Sequence, residues 1–345
     1  MLSMITLPYI LLSIIWVALI AYTAFGGADF GAGFWDLIAR GPLADEQHSL
    51  IDNALGPVWE TNHVWLVFLV VGLFSAFPVP FSLLIVVLFI PITLALFGTV
   101  LRGSAFVFRT HGLREGKLHL WTRAFSFSSI LTPFFLGLAA AAVASGKIRV
   151  SKNVPVQADL GSLWLTPFAL AIGFMAVALC ATIAAVFLTV EGTNAKKHDL
   201  TELFRTRALI AGAATSVLGA AGLGLSTIYA PLLWQGMISH TIPLIVATMI
   251  IGLGTAVTIY FRYYRISRIL VVGEAAFLLG SWGVSQIPYL VPPDITVDSG
   301  ASDPSTLVLL LIGITVGMVL IIPSIYLLFY LLKLKSGMGF FQKGE

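Results

Sequence analysis

Residues 163–190 read LWLTPFALAIGFMAVALCATIAAVFLTV, a run without a single charged side chain. A helix needs about 20 mainly apolar residues to cross roughly 30 Å of hydrocarbon, so this segment is long enough to span a membrane. Eight other segments of similar character lie along the chain, at about 5–25, 58–77, 79–101, 124–145, 208–229, 241–261, 269–291 and 305–332. The sequence therefore predicts an all-α, polytopic membrane protein with nine transmembrane helices.

The composition of the whole chain agrees with a membrane location. Of its 345 residues, 58% are hydrophobic and only 10% are charged, and the mean hydropathy is +0.98. A soluble domain has about a quarter of its residues charged, so this chain cannot cover a globule with polar surface. These values exclude a soluble enzyme, a disordered protein and a nucleic-acid-binding protein. The single cysteine, Cys180, leaves no disulfide framework or zinc cluster within the chain.

The distribution of basic residues predicts the orientation. If the N-terminus lies outside, 16 of the 19 lysines and arginines fall in segments on the inner side of the membrane. The outer segments hold the other three, Lys147, Arg149 and Lys152. Membrane proteins concentrate basic residues in cytoplasmic loops, so the sequence predicts an N-out, C-in topology. Residues 1–6 lack the basic start of a cleavable signal peptide, and residues 5–25 are therefore interpreted as a retained span.

The chain is expected to form a single integral membrane domain, because no loop is long enough to fold separately. Within residues 1–345 we expect a first four-helix unit at 1–145 and a second at 146–291. The ninth helix and a cytoplasmic tail follow at 292–345. A faint duplication supports this division: Asp29 and Glu191 each lie beside glycines at the predicted inner end of a span, four helices apart.

Ionisable side chains at membrane depth are costly and usually functional, and four of them cluster at the predicted inner ends of spans. They are Asp29, Glu60, His63 and Arg102. Glu60 and His63 are three residues apart and share a helix face, so they can relay protons if both titrate near neutral pH. An equally weighted alternative is structural: Glu60 pairs with Arg102 or with His63 and anchors the helices.

Two further polar features are interpreted more simply. Glu274 lies within the eighth span and is expected to pair with Arg268 or Arg265, or to contact a partner subunit. A b-type haem in a helix bundle usually requires two axial ligands. His63 and His240 are predicted at opposite ends of their spans, so we expect this chain to ligate no haem and to hold no metal site.

Three motifs resemble those of subunit II of the cytochrome bd-type quinol oxidases. Residues 26–33 (GGADFGAG) are similar to the signature that follows the first helix of that family. Residues 56–66 (GPVWETNHVWL) resemble its tryptophan–acid–asparagine motif, and residues 102–109 resemble its arginine–phenylalanine stretch after helix three. The motifs occur in the family's order, and the chain length is that of its short, cyanide-insensitive-like branch. The chain departs from the family pattern at two positions. Many members have aspartate at the position of Glu60 and an acidic residue at the position of His63.

The resemblance implies a partner and a reaction. A subunit of this kind binds no haem and pairs with a haem-bearing subunit I, which holds haem b and haem d, or only haem b. The complex oxidises quinol on the outer side of a prokaryotic cytoplasmic membrane and reduces O2 to water with protons from the cytoplasm. Membrane lipid and small single-helix accessory subunits are further expected partners.

The resemblance also implies roles for the polar cluster. Glu60 passes protons toward subunit I, Asp29 and His63 gather them, and Arg102 keeps Asp29 or Glu60 ionised. Trp59 and Trp65 flank an O2 path or pack in the subunit interface.

Two alternative functions remain at this point, a proton-coupled secondary transporter and a purely structural anchor. Transporters have broken helices and acids near the midplane, whereas here the acids lie toward one face and only Pro91 and Pro133 are in mid-span. A structural anchor would not need Glu60 and His63 at membrane depth.

Overall fold

The computed structural model describes the backbone of residues 6–111, 118–150 and 160–338. Within these ranges it does not describe the side chains at 55–61, 109–111, 118–120, 160, 162, 322, 325, 326 and 328–338. Glu60 and Trp59 belong to this set, so their side chains lie outside the described part of the chain.

The described chain is almost entirely helical, with one small antiparallel hairpin near its C-terminal end. The helices are α1 (Leu7–Leu37), α2 (Ala44–Ala76), α3 (Pro78–Val87), α4 (Phe89–His111), α5 (Leu118–Ala144), α6 (Leu160–Trp164), α7 (Pro167–Asn194), α8 (His198–Tyr229), α9 (Pro231–Gly236), α10 (Ile242–Tyr260), α11 (Tyr264–Gln286), α12 (Val297–Gly300) and α13 (Pro304–Met338). A π-helical turn, Met237–Thr241, joins α9 to α10, and the hairpin pairs β1 (Tyr289–Val291) with β2 (Ile295–Thr296). The all-α, polytopic fold class is confirmed.

The described residues include eight helices long and apolar enough to cross a membrane, or nine if one bent pair is counted as a single span. That pair is residues 62–76 with α3, and the two parts meet at 116°. Our predicted third span, 79–101, is divided at residue 88: α3 ends at Val87, and the candidate span at Phe89–Phe108 belongs to α4. Pro78 starts α3, since proline lacks the N–H that a continuous helix would need.

Helix α1 is longer than the sequence predicted, and this changes the position of Asp29. We expected the span to end near residue 25, but α1 continues through the glycine-rich segment 26–33 to Leu37. The predicted loop at 26–57 is therefore mostly helix, because α2 already begins at Ala44. Asp29 lies inside α1 rather than at its end.

Close helix packing explains why the glycines do not break α1. A Cβ atom on Gly31 would lie 1.9 Å from the carbonyl oxygen of Cys180 on α7, and one on Gly33 would lie 2.1 Å from Ser129 Oγ on α5. Small residues let membrane helices approach this closely. The packing gained there offsets the roughly 1 kcal/mol by which each glycine disfavours a helix relative to alanine.

Two breaks in the chain have nearly the same backbone geometry. Phe77 precedes Pro78 with φ −136° and ψ 63°, and Ala230 precedes Pro231 with φ −141° and ψ 60°. Each break follows a long helix and leads into a short one, α3 or α9. This correspondence supports two related four-helix units, α1, α2, α4 and α5 followed by α7, α8, α10 and α11. The division at residues 145 and 291 stays a prediction.

Candidate functional site: a buried ion pair among the helices

The centre of the site is an ion pair between α1 and α4. Arg102 Nη2 donates to Asp29 Oδ1 at 2.6 Å and to the main-chain oxygen of Asp29 at 2.9 Å, while Nη1 donates to Oδ2. The side chains of Arg102 and Asp29 are only 3% and 1% exposed. The bidentate geometry matches the planar guanidinium to the carboxylate, which is the strongest arrangement of such a pair.

Arg102 is held by further contacts on two helices. Its Nε donates to Ser129 Oγ on α5 at 2.8 Å. The guanidinium also lies over the rings of Phe30 and Phe125, 4.9 Å and 4.6 Å from their centroids. Arginine keeps its charge in proteins. The site is therefore a fixed pair of charges that joins α1, α4 and α5.

Asn62 is the third polar group of the site. Its Nδ2 donates to Asp29 Oδ2 at 3.4 Å, and the side chain is buried. The amide oxygen of Asn62 has no hydrogen-bond partner among the residues that the structure describes. It lies against Gly26, where a Cβ atom would come within 3.0 Å. An acceptor thus remains open next to the ion pair.

The predicted site residues are only partly brought together. Asp29 and Arg102 are in direct contact, whereas the side chain of Glu60, the other acid that we proposed for Arg102, lies outside the described residues. His63 follows Asn62 on α2 and is half-buried. Trp65 packs against the buried cluster that contains Phe30. The positions of Trp59 and Glu60 side chains are not described, so their roles stay predictions.

A second buried acid was missed by the sequence analysis. The side chain of Asp36 is fully buried, and its Oδ1 lies 2.5 Å from His48 Nδ1 on α2. Ser126 Oγ on α5 lies 3.4 Å from Asp36 Oδ2. The signal was the spacing of Asp29 and Asp36, seven residues or two helical turns. It was overlooked because α1 was expected to end before both.

Glu274 and Arg268, which we predicted to pair, have different neighbours in the structure. Arg268 Nη1 lies 3.6 Å from Glu191 Oε1, and the guanidinium stacks over Phe187 at 4.3 Å. Glu274 instead faces α10, where a Cβ atom on Gly252 would lie 2.9 Å from its Oε1. Residues six positions apart on a helix such as α11 point in different directions, and Arg268 turns toward α7 instead.

Among the described residues, no group of three or more histidine, cysteine, aspartate or glutamate side chains is arranged to hold a metal ion.

Long apolar helices around a desolvated arginine–carboxylate pair define a multi-pass membrane protein with a polar site in its interior. More specifically, the chain belongs to the family of cytochrome bd terminal oxidase subunit II, whose family model matches residues 7–332. It is accordingly a subunit of a terminal oxidase.

Individual relatives agree with this assignment. The chain is 24% identical over 326 residues to a putative cytochrome bd menaquinol oxidase subunit II of Bacillus subtilis (strain 168), covering 92% of this chain and 93% of the relative. It is 25% identical over 193 residues to the cytochrome bd-I ubiquinol oxidase subunit 2 of Escherichia coli (strain K12), covering 53% of this chain and 49% of that one. In the bd oxidase structure from Geobacillus thermodenitrificans, one chain superimposes with a TM-score of 0.80 at 26% identity, covering 95% and 99% of the two chains.

Proposed function

We propose that this chain is the haem-free subunit II of a membrane-bound quinol oxidase in a respiratory chain. It stabilises a haem-bearing subunit I and provides a proton path to the site where O2 is reduced to water. The observation that carries the proposal is the family match over residues 7–332, in a chain whose helices also hold an ion pair away from lipid. The relatives named above are subunits of quinol oxidases.

The proton path that we propose uses the α1–α2 side of the site. Arg102 keeps Asp29 or Glu60 ionised. Asp29 and His63 gather protons, and Glu60 passes them to subunit I. The unpaired amide oxygen of Asn62 supports this route, because it can accept from a water molecule beside Asp29.

The placement in the membrane follows from the basic residues. We propose the N-out, C-in topology in the cytoplasmic membrane of a prokaryote, with Asp29 and Arg102 toward the cytoplasm, where protons enter. Subunit I would hold haem b and haem d, or only haem b. We further propose that His63 and His240, predicted at opposite ends of their spans, do not ligate a haem in this chain.

The position of Trp65 supports a role for this residue at the edge of the subunit. It is half-buried and packs edge-on against Phe68, with ring centroids 6.4 Å apart. We propose that Trp65, together with Trp59, lies in the interface with subunit I or along an O2 path.

The assembled complex provides the direct test. Affinity purification of the tagged chain from its native membrane should yield a coloured complex with haem absorption bands and a second multi-span chain. The complex should consume O2 when given quinol. A colourless single chain that binds a solute would instead favour the proton-coupled transporter.

Replacing Glu60 with glutamine tests the relay. Turnover of O2 should fall at least about tenfold, because glutamine cannot carry the proton; a positioned proton-transfer group contributes about 10²–10⁴-fold. The haem spectra should stay unchanged, since subunit I is untouched. The matched control is Glu46→Gln on the same helix: Glu46 is 51% exposed and pairs with Lys197 at 3.2 Å, a contact of little energetic value. Normal turnover of the Glu60 variant would discard the relay.

A further inference from the structure

The Asp36–His48 contact joins a buried acid to the protein surface. Asp36 has a fully buried side chain, whereas the side chain of His48 is 32% exposed. Histidine is the side chain whose charge ordinarily changes near neutral pH. The two groups are 2.5 Å apart, close enough to share or exchange a proton.

Polar groups continue from this contact to the ion pair. Asp29, Gly33 and Asp36 lie on one face of α1, because their spacings of four and three residues match the helical turn. On α5, Ser126 contacts Asp36 and Ser129 contacts Arg102, one turn apart.

Between the two acids α1 touches α5 directly. A Cβ atom on Gly33 would lie 2.1 Å from Ser129 Oγ and 3.3 Å from Phe125. The polar line from His48 to Asp29 is therefore closed to lipid on the α5 side.

We propose that His48 and Asp36 form a proton-loading dyad at the aqueous end of the path to Asp29. This inference rests on the proposed function, in which protons reach the oxidase through this chain. Water protonates the imidazole of His48. Its Nδ1–H bond then breaks as an O–H bond forms on Asp36 Oδ1, which leaves a neutral imidazole with its proton on Nε2. The ring then turns toward solvent, takes the next proton from water at Nδ1 and turns back to Asp36.

From Asp36 the proton passes to a water molecule on the inner side, so that the Asp36 O–H bond breaks as an O–H bond forms on that water, and the carboxylate is regenerated. The hydroxyl of Ser126, 3.4 Å from Asp36 Oδ2, is the first group on the inner side. The positive charge of Arg102 repels a proton from the Ser129 side, so the onward route follows the side of Asp29 that faces Asn62.

The dyad lies among other charged groups that set its field. Arg207 on α8 stacks over Trp35, the neighbour of Asp36, at 5.1 Å. Asp52 lies one turn after His48 on α2, and Arg123 lies one turn before Ser126 on α5. A variant that removes His48 must therefore be compared with one that removes an equivalent histidine elsewhere.

The test uses His48→Gln in the complete oxidase, with His198→Gln as control. His198 is exposed at the start of α8 and contacts no buried acid in the described structure. We expect quinol-dependent O2 consumption of the His48 variant to fall roughly tenfold at alkaline pH and to approach the wild type at acid pH. Imidazole in the buffer should restore the alkaline activity, because the site is open to solvent. Asp36→Asn should show the same loss without rescue.

The outcomes separate this inference from the proposed function. A loss in the His48 variant that is independent of pH, or that imidazole does not restore, would show a structural clamp and overturn the dyad. A His48 variant that behaves like His198→Gln would also overturn it, while slow turnover of Glu60→Gln in the same assay would keep the proposed function. A rescued alkaline loss with normal turnover of Glu60→Gln would keep the dyad and withdraw the Glu60 relay.

Discussion

Replacing Arg102 with methionine is expected to destabilise the subunit by about 3–5 kcal/mol, the usual cost of removing one partner from a buried ion pair. The reason is the carboxylate of Asp29, which is 1% exposed and would lose the guanidinium that compensates its burial. Ser129 and the rings of Phe30 and Phe125 would also lose their contact. Thermal unfolding of the purified complex, followed together with its haem content, measures the loss.

Two companion variants make this result specific to the buried charge. The double variant Asp29→Asn with Arg102→Met should recover part of the stability, because no unpaired charge remains. Arg149→Met is the surface control. Arg149 is 58% exposed and lies 3.4 Å from Asp294, and loss of such a pair should cost no more than about 1 kcal/mol. Equal stability of the Arg102 and Arg149 single variants would contradict a buried, energetically coupled pair.

Gly31→Ala is expected to force α1 away from α7. The added Cβ atom would lie 1.9 Å from the carbonyl oxygen of Cys180, which is main chain and cannot rotate away. Overpacking of this kind costs about 1–3 kcal/mol, and the rigid neighbour favours the upper end. Because Asp29 lies on the same helix two residues earlier, the shift should also weaken the ion pair. Unfolding temperature and the yield of assembled complex measure the effect.

Gly224→Ala is the matched control on α8. A Cβ atom on Gly224 would meet no atom within 4 Å, and alanine favours a helix over glycine by about 1 kcal/mol in water. This variant should therefore be as stable as the wild type or slightly more so. If Gly31→Ala were as stable as Gly224→Ala, this result would contradict the close approach of α1 and α7.

The candidate site was only partly predictable from the sequence. Asp29 and Arg102 were singled out because an ionisable residue in an apolar run is conspicuous by itself. Asp36 and His48 were missed because they were assigned to a loop, and Ser129 because a serine in a membrane helix is ordinary. Arg268 was assigned to Glu274, a near neighbour in sequence, whereas its partner Glu191 lies on another helix.

The amino-acid sequence alone determined that this is a helical, multi-pass membrane protein of the bd oxidase family. The free energy of transferring apolar residues into lipid adds up residue by residue along each segment. Runs such as residues 163–190 can therefore be interpreted without knowing which helices pack against them. Family motifs are local in the same way.

Only the tertiary structure decided which polar groups meet. Hydrogen bonds and ion pairs act over a few ångströms, and Asp29 meets Arg102, 73 residues away, only once α1 and α4 are packed together. That packing also lets α1 continue through residues 26–33, because its glycines fit against α5 and α7. The continued helix in turn brings Asp36 to His48.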